Sequence, residues 1–206
     1  MTERLREAIL RGHLKPGQRL DQNEIAEALN VSRSPVRDAL RTLAVENLVE
    51  LYPHRGAVVA ELSPEELEEI YFIRGVLEGM AARLGAPKMD EDRIATVQTI
   101  LEEMEKTSDL DRWLELNRRF HHTIYQVANR PRLLSIIENL RNTSAPYIRQ
   151  FIAFSEHMAE ARVSHRRIFE ACANRDGLLA QEETQKHLKA VCEGVLVYVG
   201  STLATA

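Results

Sequence analysis

Apolar and polar positions alternate with two different periods along this 206-residue chain. Over most of its length apolar residues recur every three or four positions, the spacing of one helix face. In one short interval they alternate by twos, as on a strand with one wet side. "TERLREAILRG" predicts a short helix, and "HLKPGQRL" a turn carrying Pro16–Gly17. "DQNEIAEALN" predicts a second helix, capped by Asp21 or Asn23. "VSRSPVRDALRTLAVEN" predicts a third, with Ser32 or Ser34 as N-cap and Pro35 at its first position. Asn47 is placed to end that helix in the left-handed conformation. "LVELY" and "AVVAEL" then alternate like strands around a hairpin tip, "PHRG".

From Ser63–Pro64 onward the pattern is helix after helix. Ser63, Pro64 and Glu66 form a capping box ahead of "ELEEIYFIRGVLEGMAARLGA". Further segments follow at "DEDRIATVQTILEEMEKT", Leu110–Ala128, from Pro131 onward, near 156–174 and at 177–202. Pro146 is expected to kink or break the fourth of these. The predicted class is mainly α. A winged helix-turn-helix domain with a two-stranded wing (residues 1–62) leads into an all-α antiparallel bundle (63–206).

Composition sharpens this. Charged residues make up 28% and the net charge is −4, so the chain is not basic throughout. Residues 1–60 nevertheless balance at +1 while the remainder balances at −5, which suggests two tasks. No apolar run is long enough to span a membrane, and "MTERLREAIL" lacks a signal-peptide core, so a cytoplasmic location is expected. Cys172 and Cys192 sit in helical patterns without metal-type spacing and read as reduced, buried thiols.

The second helix of a helix-turn-helix enters the major groove with its first residues. Here those residues include Arg33, Ser34 and Arg37, while Val36, Ala39, Leu40 and Leu43 fall on the opposite face. Arg33 and Arg37 are one turn apart, and a guanidinium suits a guanine edge or a phosphate. A solvated surface role is the alternative for any one arginine. The clustering at a helix start beside a wing favours DNA. Arg55 at the wing tip can lie along the backbone or minor groove, with Gly56 allowing close approach, and His54 can touch phosphate.

In the bundle, Leu110, Trp113, Phe120, Ile124 and Val127 form one stripe at about 100° per residue. Asn117 falls inside it and His121 near its margin, while His122 points away. His165 lies at the centre of the next apolar stripe but one, and His187 flanks that of the last helix. Three inward histidines on three helices fit a metal site for Zn, Ni, Co, Fe or Mn; a polar network or a watery pocket remains the alternative. Arg74 and Glu78, also one turn apart, read either as a surface ion pair or as a pocket wall binding a carboxylate. Tyr147 and Arg149, beside Pro146, are weaker effector-binding candidates; His13 and His157 read as surface or structural.

The motifs "LKPGQRL", "IAEALNVSRSPVRDAL" and "RGAVV" make residues 4–62 resemble the winged-helix domain of GntR-family bacterial regulators. Asn47 departs from the usual glycine but tolerates the same conformation. The resemblance implies DNA contacts at Arg33, Ser34, Arg37 and Gly56, and at Asn23 as a weaker candidate. "NRRFH", "SHRRIFEACANRD" and "QKHL" make residues 64–203 similar to the FCD effector domain of the FadR branch. That implies a divalent metal held by Asn117, His121, His165 and His187, completed by a small carboxylic acid. Aspartate is commoner at position 117, and a neutral amide binds a dication more weakly. The expected protein is a homodimeric, ligand-responsive regulator of a pseudo-palindromic duplex DNA operator. A regulator that senses the metal itself stays open. A metalloenzyme is disfavoured, because no acid or base adjoins the ligands on the inward face.

Overall fold

The computed structural model describes residues 1–53, 56–153 and 155–203. Contacts divide the chain into two units, Met1–Ser63 with Arg141–Pro146, and Pro64–Leu140 with Tyr147–Ala206.

The first unit runs α1 (Thr2–Leu10), β1 (Arg19–Leu20), α2 (Gln22–Ala28), α3 (Arg33–Val45), β2 (Val49–Tyr52) and β3 (Gly56–Val59). Asp21 caps α2 by accepting from the N–H groups of Asn23 and Glu24. α2 and α3 each end on an asparagine in the left-handed region, Asn30 at φ 52° and Asn47 at φ 59°. At the second of these, Leu48 N–H reaches Leu43 O and Asn47 N–H reaches Ala44 O, closing the last carbonyls of α3. Val36, Ala39, Leu40 and Leu43 of α3 are buried against Leu5, Ile9, Leu20, Leu48 and Val59. Each fully buried leucine contributes about 1.5–3 kcal/mol. Arg6 ties α1 to the end of α3 through two hydrogen bonds to Glu46, of 2.7 and 2.8 Å.

Two expectations need correction here. The wing sheet has three strands in the order β1-β3-β2, not two. Leu20 pairs with Ala57 because it is buried in the core while Arg19 stays outside, so the end of "KPGQRL" behaves as strand, not turn. Arg33, not Pro35, is the first helical residue of α3, and Ser32 caps it without a side-chain hydrogen bond. Pro35 therefore sits at the third helical position, whose N–H has no partner within a helix in any case.

The second unit is built from α4 (Pro64–Gly85), a short 3₁₀ turn (Ala86–Lys88), α5 (Glu91–Lys106), α6 (Leu110–Gln126), α7 (Pro131–Ile152, apart from Arg141–Pro146), α8 (Ser155–Ala173) and α9 (Gly177–Leu203). Asp90 and Asp109 cap α5 and α6. α9 packs along α4. Gly177 makes the approach possible, since a Cβ there would fall 2.5 Å from Arg83 O. α7 passes through Pro146 as one helix, so of the expected kink or break the break does not occur. Tyr147, Phe151 and Ile152 just beyond it are buried, and that packing outweighs the one backbone hydrogen bond that proline removes. Both cysteines are free and buried; burial pushes the Cys172 thiol up to about 12. Among the described residues no helix is long and apolar enough to cross a membrane.

Candidate metal centre and nucleic-acid interface

The period of α6 places Trp113, Leu116, Phe120, Ile124 and Tyr125 in the core, and His121 goes in with them at 1% exposure. α8 buries His165 completely, and α9 buries His187. The three imidazoles converge, with one ligand nitrogen from each lying within 4.8 Å of the others. His121 Nε2 and His165 Nε2 are 3.1 Å apart. Phe120 stands edge-on to His165 at 5.1 Å between ring centres and Trp113 at 6.0 Å, so apolar walls surround the rings.

The partners of the other ring nitrogens decide the chemistry. His165 Nδ1 lies 2.6 Å from Ala161 O. A carbonyl only accepts, so Nδ1 carries the proton and Nε2 is bare. Ser164 donates its hydroxyl proton to the same carbonyl across 2.9 Å. Its oxygen lies 2.8 Å from His187 Nδ1; with the hydroxyl proton given to Ala161 O it accepts there, which makes Nε2 the unprotonated nitrogen of His187. Tyr125 Oη holds His121 Nδ1 at 3.0 Å. An imidazole whose Nδ1–H is engaged in this way turns its basic Nε2 to a cation. Asn117 lies one turn before His121, and its Oδ1 is buried with no hydrogen-bond partner. An orphaned carbonyl oxygen beside inward imidazoles matches the donor set of a divalent first-row metal.

His122 is exposed, as expected, and lies 2.8 Å from Glu138. Arg74 and Glu78 do not form a surface pair, because they are 2% and 0% exposed with Nε and Oε1 2.7 Å apart. The Tyr71 ring lies against the Arg74 guanidinium, 4.7 Å from the ring centre. Burial opposes the charge on Arg74, yet Glu78 and Tyr71 hold its pKa above the ordinary value. Burial pushes the Tyr71 hydroxyl up to about 12. Tyr147 is buried, and Arg149 forms an ion pair with Asp111.

Ser164, Ala161 and Tyr125 were not singled out from sequence. Tyr125 carried a signal, being one turn beyond His121. Ala161 carried the same signal, lying one turn before His165 on α8, but Ser164 carried none, because its role depends on where α9 lies.

On the winged unit, Arg33, Ser34 and Arg37 are all exposed at the start of α3. Arg37 Nη2 is 3.5 Å from Ser34 Oγ and its Nε 4.0 Å from Asp38, both loose contacts. Arg41 continues the same exposed row one turn on and was missed. Gly56 opens β3 at φ 79° with nothing within 4 Å of where a Cβ would stand. Asn23 is exposed at the start of α2. His54 and Arg55 lie outside the described residues.

A winged helix-turn-helix with a cationic recognition helix, on the same chain as an all-helical bundle with a histidine cluster, defines a DNA-binding transcription regulator. Comparison with known proteins agrees. Residues 1–59 match the family described as bacterial regulatory proteins, gntR family, and residues 69–190 match the FCD domain. The HTH-type transcriptional repressor RspR of Escherichia coli is 30% identical over 93% of this chain and 85% of its own. The gluconate operon transcriptional repressor of Bacillus licheniformis is 37% identical over 73% of this chain and 61% of its own. The solved structure of E. coli McbR/YncC superimposes with a TM-score of 0.81 at 26% identity, covering 98% of this chain and 96% of that one. The chain belongs to the GntR family of bacterial transcription regulators and carries a C-terminal FCD domain. Its named relatives are regulators, not enzymes.

Proposed function

We propose that this chain is a ligand-responsive regulator whose winged unit reads a short pseudo-palindromic operator as a homodimer. Its bundle holds a divalent cation, zinc, nickel or a similar ion, that receives a small carboxylic acid. The observation that carries the reading is the convergence of the three buried imidazoles, one nitrogen from each lying within 4.8 Å of the others. Ala161 O and Ser164 hold the Nδ1 atoms of His165 and His187. His121, His165, His187 and Asn117 hold the ion. The bound cation supplies an attachment point for a carboxylate. Arg74, Glu78, Tyr147 and Arg149 are the candidates to meet the rest of the acid. One relative is named for the gluconate operon, and gluconate is itself a small carboxylate. On the winged unit Arg33, Ser34 and Arg37 read base edges, with Gly56, Asn23 and Arg55 supporting the backbone contact. Acid binding biases the equilibrium between DNA-competent and DNA-incompetent forms.

Thermal unfolding tests the site. Zinc or nickel raises the midpoint of the unmodified protein through mass action, and a chelator reverses the rise. In His187→Gln the cation-dependent rise falls away. An unmodified protein whose midpoint ignores every divalent ion tried sinks the metal reading. Operator affinity in cation-free, cation-bound and cation-plus-acid protein separates a sensed metal from a fixed one. A change at the second step alone marks an acid sensor, and a change at the first marks a metal sensor.

Ser164→Ala tests the tautomer argument. It leaves His187 Nδ1 without its oxygen partner, and cation affinity falls about 10–100-fold, as for other lost orienting partners of metal-bound histidines. Isothermal titration measures it. Affinity equal to that of the unmodified chain would mean that Ser164 orients nothing.

A further inference from the structure

Trp113 carries a polar atom that the fold does not satisfy. It is the chain's single tryptophan and lies in α6 at 1% exposure. Its indole Nε1 is buried with no hydrogen-bond partner among the described residues. An indole nitrogen can only donate, and a buried tryptophan ordinarily finds an acceptor for it. A donor left unmatched inside a core costs free energy, so each one that a fold keeps calls for a reason.

Its position supplies the reason. Trp113, Asn117 and His121 follow one another at single-turn spacing on α6, so their side chains share one face. The Trp113 ring stands edge-on to His165, with ring centres 6.0 Å apart. His165 has no lone pair to spare for it. Nδ1 donates its proton to Ala161 O across 2.6 Å, and Nε2 faces His121 Nε2 at 3.1 Å within the nitrogen cluster. Phe120, the other ring against His165, accepts nothing in the plane of a lone pair. An unmatched donor thus lies beside the candidate cation site, one turn from the equally unmatched Asn117 Oδ1.

We propose that Trp113 selects the effector. Its indole N–H donates to a second oxygen of the bound acid, a hydroxyl or oxo group, while the carboxylate meets the cation. Such a site prefers acids that bear an extra oxygen acceptor to acids that end in hydrocarbon, which leave the N–H stranded. That role deepens the carboxylate-sensor reading and rests on it for the cation and the acid.

Because there is one tryptophan, indole emission reports on this position alone. A hydrogen bond from the indole N–H moves that emission to longer wavelength. The probes are butanoate and the hydroxybutanoates with the hydroxyl on the second, third or fourth carbon. They are titrated into the zinc-loaded full-length chain, with affinity read by isothermal titration. At least one hydroxy acid binds ~10-fold tighter than butanoate and shifts the emission, and butanoate does not shift it. In Trp113→Phe the ratio of those two affinities falls about tenfold. A ratio taken within one variant cancels any loosening of the core, and whatever preference comes from a hydroxyl on zinc persists in it. Zinc still raises the melting midpoint of this variant, which shows an intact cation site. Should the variant not fold, affinity and emission in the unmodified chain decide. Hydroxy acids no tighter than butanoate, an unmoved emission, or an undiminished ratio in Trp113→Phe overturns the proposal. An unmodified chain whose midpoint ignores zinc removes the cation reading and this inference with it, so the two failures are told apart.

Discussion

Replacing Arg33 and Arg37 together by alanine lowers affinity for the specific operator by ~10²–10⁴-fold, from about 1–3 kcal/mol per base-reading arginine. Neither side chain has a structural duty. Arg33 is exposed and makes no hydrogen bond or ion pair among the described residues. Arg37 has only the long contacts to Ser34 and Asp38. The apolar face of α3 that holds the unit together is on the other side, at Val36, Ala39, Leu40 and Leu43. Stability therefore changes by less than ~0.5 kcal/mol, as for other surface substitutions. Selection from a random duplex pool with the unmodified chain supplies the operator, and fluorescence anisotropy measures affinity. A fall on specific duplex that exceeds the fall on random duplex identifies base reading; equal falls identify phosphate contact. Unchanged affinity on both refutes the assignment of α3.

Glu78→Ala is expected to destabilise the bundle by about 3–5 kcal/mol, the usual cost of stranding one partner of a buried ion pair. Glu78 is 0% exposed and Arg74 2%, so water cannot replace the lost carboxylate. The guanidinium keeps the Tyr71 face 4.7 Å away, but a ring quadrupole offsets only part of a buried charge. For a chain of this size the midpoint falls by roughly 6–20 °C. Removing both charges, as Arg74→Met/Glu78→Leu, recovers much of the loss, since well-packed apolar replacements of buried pairs are often neutral. Denaturant unfolding of the three variants checks this. A Glu78→Ala protein within ~1 kcal/mol of the unmodified chain shows that the pair is wet, and the double variant then loses its purpose.

Periodicity made the inward histidines legible. Each lies on a long helix whose apolar stripe is unambiguous, and a stripe reports which side chains go in without reporting what they meet. The recognition helix was legible for the same reason, with its apolar and cationic faces well separated. What escaped depended on neighbours remote in sequence. Strand β1 is two residues long, too short for any alternation, and exists because Leu20 fills a gap beside Ala57. One-turn spacing left Arg74 and Glu78 as either a surface pair or a pocket wall, and could not report that both are buried. Pro146 showed the reverse error. A local rule allowed a kink or a break, and the packing of α7 ruled out the break. In the candidate site the inward histidines were visible, but Ser164, which holds one of them from another helix, was not. Ser164 and His187 are 23 residues apart and meet only once α8 and α9 are side by side.

The carbonyl of Ala161 separates two kinds of inheritance in this site. Every residue that replaces Ala161 brings the same oxygen, so the handle on His165 survives substitution there. The handle on His187 is a hydroxyl that a single base change can delete or enlarge. On the proposed metal reading, ion preference is therefore open to drift at position 164 and closed to it at 161.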